Sequence, residues 1–208
     1  MSNRLSETEA WLRRMRDGRP EALAAMFDHY RQRLRQMVQL RMDGRLAARI
    51  DPSDVLQEVY LDARRQVQSY LRDPKVAVYV WLRGLAQQRL SNLHRDHLRT
   101  QRRSLLNEMS LPTESTANLA GRLLARVDTP SRVLLKAELG QRLHRALAGL
   151  ESDDRDVILM RHFENMSNGE VAEVLGLSDS GATMRYGRAL TRLKALLLEH
   201  LSSGESRP

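Results

Sequence analysis

Apolar residues recur at three- and four-residue intervals along almost the whole chain, and proline and glycine gather where that rhythm breaks. Side chains three or four positions apart share one face of an α-helix, whereas a half-buried strand needs strict alternation. No stretch alternates in that way, so an all-α fold is expected. Cap and stop chemistry then divides the chain. Ser6-Glu7-Thr8-Glu9 reads as a capping box opening a short helix with Trp11, Leu12 and Met15 that stops at Gly18. Pro20 lies near the first turn of a long helix carrying Leu23, Met26, Phe27, Tyr30, Leu34, Met37 and Val38. Asp51-Pro52-Ser53-Asp54 starts a third helix, to about Tyr70, with a capping carboxylate, proline at the first position and acid in the first turn. Arg72-Asp73-Pro74-Lys75 is expected as a loop, before a fourth helix from about Val78 into a basic stretch ending near Arg103.

From about Asn107 to Pro130 the pattern loosens into turn chemistry, with a helical turn expected around Leu119, Leu123 and Leu124. The expected division is a first helical domain over residues 1–104, a linker over 105–130, a second domain over 131–201 and a tail over 202–208. The second domain should hold helices at about 131–150, 152–163, 168–175 and 179–201.

A length of 208 residues allows two small cores, and 41% apolar residues are too many for a disordered chain. No apolar run approaches the roughly 20 residues a membrane-spanning helix needs. Met1 to Arg4 lead straight into helix-start chemistry without a signal-peptide apolar segment, so a soluble, cytoplasmic protein without membrane insertion is expected. With no cysteine, disulfides, thiolate zinc sites and cysteine nucleophiles are excluded. Phosphate-loop and nucleophile-elbow patterns are absent. His94 and His97 stand three apart, but no carboxylate at helical spacing completes a metal motif. Asp153 and Asp154 follow Ser152 at a helix start, where capping and the helix dipole account for them. Neither an enzyme nor a metal or cofactor is expected.

The net charge of +8 is carried almost wholly by arginine, since Lys75, Lys136 and Lys194 are the only lysines. Guanidinium groups bind phosphate bidentately and read guanine edges. A GC-rich genome would explain the arginine-to-lysine ratio equally well. The excess positive charge itself favours an anionic partner.

Two regions carry more specific chemistry. Ser167-Asn168-Gly169-Glu170 is a second capping box leading into Val171-Ala172-Glu173-Val174-Leu175. Gly176 stops that helix, Leu177 plugs the turn, and Ser178 caps the next helix with Asp179 near its positive end. This is a helix-turn-helix layout, whose second helix enters the major groove. In that helix Ala182, Tyr186, Ala189, Leu193 and Leu196 form a core stripe. Arg185, Arg188 and Arg192 share another face, with Ser180, Gly181 and Met184 near the N-terminal end that reaches base edges. Gly181 and Gly187 each cost roughly 1 kcal/mol inside a helix, so both are expected to serve close approach. An ordinary helical hairpin with a solvated arginine face gives no reason for caps, turn and stripe to agree.

In the third helix Val55, Leu56, Val59, Tyr60, Ala63 and Val67 form one apolar face, while Asp54, Gln57, Glu58 and Leu61 point the opposite way. An acidic face with an exposed leucine suits a protein partner, or is a solvated surface with one stray leucine. In the fourth helix Trp81, Gln88, Asn92, Arg95 and Arg99 fall on one narrow line. A stacking ring, amides and cations together suit single-stranded or opened nucleic acid. Beside Leu82 and Leu85, Trp81 also reads as a core residue. Arg89 lies on the apolar side, which needs snorkelling or a buried partner.

Together these segments resemble sigma-70-type transcription initiation factors of the compact extracytoplasmic-function group. The run from Asp51 to Leu61, with its Gln57-Glu58 pair, is similar to that family's polymerase-clamp-binding segment. Tyr79-Val80-Trp81-Leu82 with Leu85-Ala86-Gln87-Gln88 resembles the promoter −10 melting and recognition segment. Leu159-Met160-Arg161-His162-Phe163, Met166-Ser167, Glu170-Val171-Ala172 and Leu175-Gly176-Leu177-Ser178, then Arg185 and Arg188-Ala189-Leu190, resemble the −35-binding helix-turn-helix. The resemblance spans roughly residues 20–103 and 131–200, in the family's order.

It implies a region 2-like helical bundle joined by a linker to a region 4-like helix-turn-helix domain, with the linker threading toward the polymerase active-site channel. It implies that Asp54, Gln57, Glu58 and Leu61 dock on the polymerase clamp. A loop of Leu71, Arg72, Asp73, Pro74, Lys75 and Val76 would receive a flipped base, with Trp81, Gln88, Asn92, Arg95 and Arg99 along the −10 strand. Ser178, Asp179, Ser180, Gly181, Thr183, Met184, Arg185, Arg188 and Arg192 would meet the −35 duplex. The implied partners are core RNA polymerase, through clamp and flap, promoter DNA and an anti-sigma factor. Gln88 stands where the family usually has asparagine, Thr183 where lysine or arginine is frequent, and Gly181 where threonine is frequent. A −35 sequence therefore does not carry over from relatives. The tail after Leu201 is expected to hold no extra regulatory domain. The competing expectation is a stand-alone helix-turn-helix repressor or activator with a helical sensor or dimerisation domain. It would bind duplex promoter DNA tightly without polymerase.

Overall fold

The structure, a computed structural model, describes residues 2–42, 44–98, 113–124 and 134–202, and among them every regular element is helical. They fall into two units, divided between residues 105 and 106. The first holds α1 (Ser2–Arg16), α2 (Glu21–Arg41), the short α3 (Gly44–Ala47), α4 (Pro52–Arg72) and α5 (Val78–Leu98). The second holds α6 (Thr113–Leu124), α7 (Leu134–Ala148), α8 (Ser152–Ile158), α9 (Asn168–Leu175) and α10 (Asp179–Ser202), with a π-helical turn over Leu159–Phe163 continuing α8.

α1 begins at Ser2, a turn before the expected capping box, because neither proline nor glycine precedes Ser6 to stop the helix. It ends at Arg16, and Gly18, with φ of +77°, turns the chain toward α2. Trp11 packs its ring on His29 at 4.9 Å, and Thr8 Oγ1 and the Tyr30 hydroxyl share a hydrogen bond of 3.0 Å, fixing α1 on α2. α4 starts as its sequence dictates. The Asp51 carboxylate accepts from the Ser53 amide at 2.7 Å, and Pro52 fills the first position, where no donor is missed. The core of this unit is Met26, Leu34 and Met37 of α2, Val55, Leu56, Val59 and Ala63 of α4, and Tyr79, Leu82 and Leu90 of α5, all buried. Burying each of the larger side chains contributes roughly 1.5–3 kcal/mol. Arg33 of α2 lies over the Tyr79 ring, 3.5 Å from its centroid.

The second unit buries Leu143 and Leu147 of α7, Val157 and Ile158 of α8, Phe163 of the π turn, Val171 and Ala172 of α9, and Ala182, Ala189, Leu193 and Leu197 of α10. The stripe on α10 thus ends on Leu197 rather than Leu196, which is half-buried and leans over Gly149. α6 was not expected as a full helix. Thr116, Leu119, Ala120 and Leu124 bury one face of it against α7, so part of the segment expected as linker belongs to this unit. The remainder of that expectation, residues 105–112 and 125–130, lies outside the described residues, as does the basic stretch after Leu98.

Candidate nucleic-acid interface

The helix-turn-helix is fixed by four local devices. At the start of α9 the Ser167 hydroxyl accepts from the Glu170 amide at 3.2 Å, while the Glu170 carboxylate accepts from the Ser167 amide at 2.7 Å. At its end Gly176 adopts φ 63° and ψ 33°, a left-handed conformation that strains any residue with a Cβ. The Leu177 amide then reaches back to the Ala172 carbonyl at 2.9 Å and the Gly176 amide to Glu173 at 3.4 Å, closing a Schellman turn. Ser178 Oγ accepts from the Gly181 amide at 3.1 Å and caps α10. Asn168 of α9 ties the two helices, donating to the Asp179 carbonyl at 2.8 Å. The Thr183 hydroxyl stays inside this knot, 2.9 Å from the Asp179 carbonyl and 3.3 Å from Asn168 Oδ1.

Along α10 the polar residues divide into engaged and open. Ser178, Asp179, Ser180, Thr183, Met184, Arg188 and Arg192 are exposed, and Gly181 and Arg185 half-buried. Arg185 donates to Asp153 at 3.1 Å, and Arg192 to the carboxylate of Asp154, which is buried at 7% exposure. Capping and the dipole therefore do not exhaust the role of these two acids. The N-cap position belongs to Glu151, which makes no side-chain cap, while Asp153 and Asp154 hold α10 by its arginines. Among the described residues Arg188 has no carboxylate partner. Opposite, the Tyr186 hydroxyl and His162 Nε2 share a hydrogen bond, with the Arg161 guanidinium 5.6 Å from the Tyr186 ring centroid. Burial first, then the nearby Arg122 and Arg161, lower the pKa of His162 and favour its neutral form. Burial likewise raises that of Tyr186.

Of the two close-approach glycines, Gly181 is crowded: a Cβ there would meet Ser178 Oγ at 3.2 Å. Gly187 is not, since its Cβ would meet nothing within 4 Å. Packing among the described residues therefore does not require glycine at Gly187.

In the first unit, Asp54, Gln57, Glu58 and Leu61 all lie on the exposed side of α4, Leu61 at 39% exposure. Glu58 accepts from Arg89 of α5, the partner the sequence left open for that arginine. The expected loop begins later than read. No breaker precedes Pro74, so α4 continues through Arg72, and Leu71 is buried in its last turn rather than offered to a base. The loop proper comprises Asp73, Pro74, Lys75, Val76 and Ala77, and the Tyr70 hydroxyl anchors it by donating to the Val76 carbonyl at 2.8 Å. Tyr70 also stacks on Trp81 at 4.4 Å and 11°. Trp81 is thus neither a fully buried core residue nor a fully open ring: it is half-buried, with one ring face taken by Tyr70. Gln88 and Arg95 are exposed and Asn92 half-buried, with Arg95 donating to Asn92 Oδ1. Arg99 lies outside the described residues. Tyr70, Asp153, Asp154 and Asn168 were not singled out as site-shaping residues in the sequence, and nothing in their local spacing marks them.

Among the described residues no cluster of His, Asp and Glu could hold a metal, and no helix is long and apolar enough to cross a membrane.

Comparison with known proteins bears directly on this arrangement. Residues 140–193, from α7 into α10, match the family model for sigma-70, region 4. The extracytoplasmic-function RNA polymerase sigma-E factor of Haemophilus influenzae is 26% identical over 189 residues, covering 91% of this chain and 94% of the relative. The RNA polymerase sigma factor CnrH of Cupriavidus metallidurans is 30% identical over 148 residues, covering 71% of this chain and 73% of the relative. The solved structure of CnrH in complex with the cytosolic domain of CnrY superposes with a TM-score of 0.56 at 22% identity, over 92% of this chain and 97% of that one, which shows a shared fold. Relatives of this kind are regulators of transcription rather than enzymes. With a region 4 match over its capped helix-turn-helix and sigma factors aligned along most of its length, the chain belongs to the sigma-70 family, as an extracytoplasmic-function RNA polymerase sigma factor acting in transcription initiation.

Proposed function

We propose that this factor binds core RNA polymerase, recognises −10 and −35 promoter elements and melts the promoter for initiation. The observation that carries the reading is α10: caps, acids and His162 hold its sides, while Ser180, Met184 and Arg188 stay exposed on its first turns. That is the disposition a helix needs to enter the major groove, with Ser178, Asp179, Gly181, Thr183, Arg185 and Arg192 around the contact. The exposed side of α4, through Asp54, Gln57, Glu58 and Leu61, docks on the polymerase clamp, and the second unit meets the flap. The loop of Asp73, Pro74, Lys75 and Val76, with Arg72 beside it, receives a base unstacked from the non-template strand. Trp81, Gln88, Asn92, Arg95 and Arg99 follow that strand. The factor acts in the cytoplasm. CnrH is described in complex with the cytosolic domain of CnrY, and a regulatory protein of that kind is a partner here too.

The test is in vitro transcription with core polymerase on a genomic library, reading start sites by sequencing. Start sites sharing upstream elements should appear only when the chain and core polymerase are both present. No gain in selectivity would overturn the reading. Tight duplex binding by the chain alone would point instead to a stand-alone regulator.

A further inference from the structure

The most exposed large apolar side chain among the described residues is Met184, at 64%. It stands on the second turn of α10, with Ser180 four residues before it, Gly187 three after and Arg188 four after, all exposed. Residues at these spacings adjoin on a helix surface. A methionine so placed gains nothing from the core, and no apolar neighbour on this strip makes it part of a protein-docking patch. Gly187 adds a second observation. A Cβ there would meet nothing within 4 Å, so packing within this chain does not call for glycine, although glycine costs roughly 1 kcal/mol in a helix. Met184, bare backbone and a cation with no carboxylate partner among the described residues therefore make one strip: a flexible apolar finger, room beside it, and a phosphate or guanine ligand.

In the major groove the one apolar group on a base edge is the thymine C5-methyl. We infer that Met184 is a specificity-determining residue that reads a thymine methyl in the upstream promoter element, with Gly187 leaving the approach open. The inference rests on the proposal that α10 enters the −35 duplex.

The experiment uses holoenzyme reconstituted from the full chain and core polymerase, on promoters whose starts have been mapped with it. Each −35 thymine is replaced singly by uracil, which keeps every hydrogen-bonding group and removes only the methyl. At one position the replacement should lower initiation about fourfold, equivalent to about 0.8 kcal/mol for one buried methyl group. Met184→Ala should lower initiation on the thymine template and erase the thymine–uracil difference. Met184→Leu should retain the difference. The inference is overturned if no uracil replacement matters, or if Met184→Ala leaves the uracil penalty intact. It is also overturned if Met184→Ala weakens binding to core polymerase without DNA, which would make the side chain a protein contact. Scrambling the −35 element and Arg188→Ala separate the two levels. Sensitivity to both with no uracil effect removes the methyl contact alone, whereas indifference to the −35 sequence removes the groove reading itself.

Discussion

Replacing each glycine of the second unit's last helix by alanine separates two reasons for a helix to carry glycine. At Gly187 an added Cβ meets nothing within 4 Å and the position is exposed. Gly187→Ala therefore collects the full helix-propensity gain of about 0.8–1.0 kcal/mol, part of it by restricting the unfolded chain. At Gly181 the same Cβ meets Ser178 Oγ at 3.2 Å and Leu177 Cβ at 3.6 Å. That hydroxyl accepts the Gly181 amide at 3.1 Å as the cap of α10, a bond worth about 1 kcal/mol. Moving the hydroxyl aside offsets the propensity gain, and Gly181→Ala should be neutral within a few tenths of a kcal/mol or destabilising.

Because the chain has two units, the assay must be local: hydrogen exchange of α10 amides in the full-length protein. In Gly187→Ala these amides should exchange about four- to fivefold more slowly, the factor that about 0.8–1.0 kcal/mol implies. In Gly181→Ala they should not slow. Equal slowing in both variants would refute the cap argument, and faster exchange in Gly187→Ala would refute the claim of open space. If Gly187 is kept for DNA, the stabilised variant will also initiate less well at −35-dependent promoters.

Arg185→Ala should weaken −35-dependent initiation by about 1–3 kcal/mol if the guanidinium reads a base and by less if it meets phosphate; promoter use unchanged across a salt series removes it from the interface. Glu58→Lys should lower holoenzyme formation, but it also sets a cation against Arg89. Pairing it with Arg89→Glu should restore the contact between α4 and α5 while leaving polymerase affinity low, and normal affinity in the double variant would exclude Glu58 from the clamp surface. His162 has a folded-state pKa below its ordinary 6.5, so the unfolded chain binds its proton more readily. Its contribution is present above about pH 6.5 and lost as pH falls through the lower folded value, where the proton must enter beside Arg122 and Arg161 and disturb the bond to Tyr186. His162→Gln should flatten stability against pH in that window without abolishing the slope, since burial also lowers the pKa of His144. An unaltered slope would show that His162 is not the titrating group.

What the sequence disclosed was local chemistry. Asp51 and Pro52 at α4, Ser167 with Glu170 at α9, Gly176 and Ser178 each act within five residues of themselves, so their roles can be read along the chain. What it withheld depends on which helices meet. Glu58 and Arg89 stand 31 residues apart, Asp153 and Arg185 32, and Asp154 and Arg192 38. No spacing rule connects such pairs. Two misses were of a different kind. α6 carries Thr116, Leu119, Ala120 and Leu124 at helical spacing, but turn residues on both sides favoured a linker. At Leu71 the proline three residues on suggested a loop, whereas burial of Tyr70 and Leu71 carries α4 another turn.

The acids of α8 change how the arginine face of α10 should be understood. A stand-alone duplex binder gains most of its affinity from cations that displace counterions from phosphates, each contact steepening the salt dependence by about 0.9. Here two of the three arginines already hold carboxylates, and either must exchange Asp153 or Asp154 for a phosphate before it contributes in full. Exchange at Arg192 would leave the buried Asp154 carboxylate without that partner, a penalty above the roughly 1–3 kcal/mol of an unsatisfied neutral group and set against any phosphate contact. The same pairs, with the Asn168 knot and the His162–Tyr186 bond, orient α10 before DNA arrives, which lowers the ordering cost of a selective contact. Orientation obtained at the expense of free charge favours discrimination over affinity. That balance suits a factor brought to the promoter by polymerase, and it is the opposite of what a repressor acting alone requires.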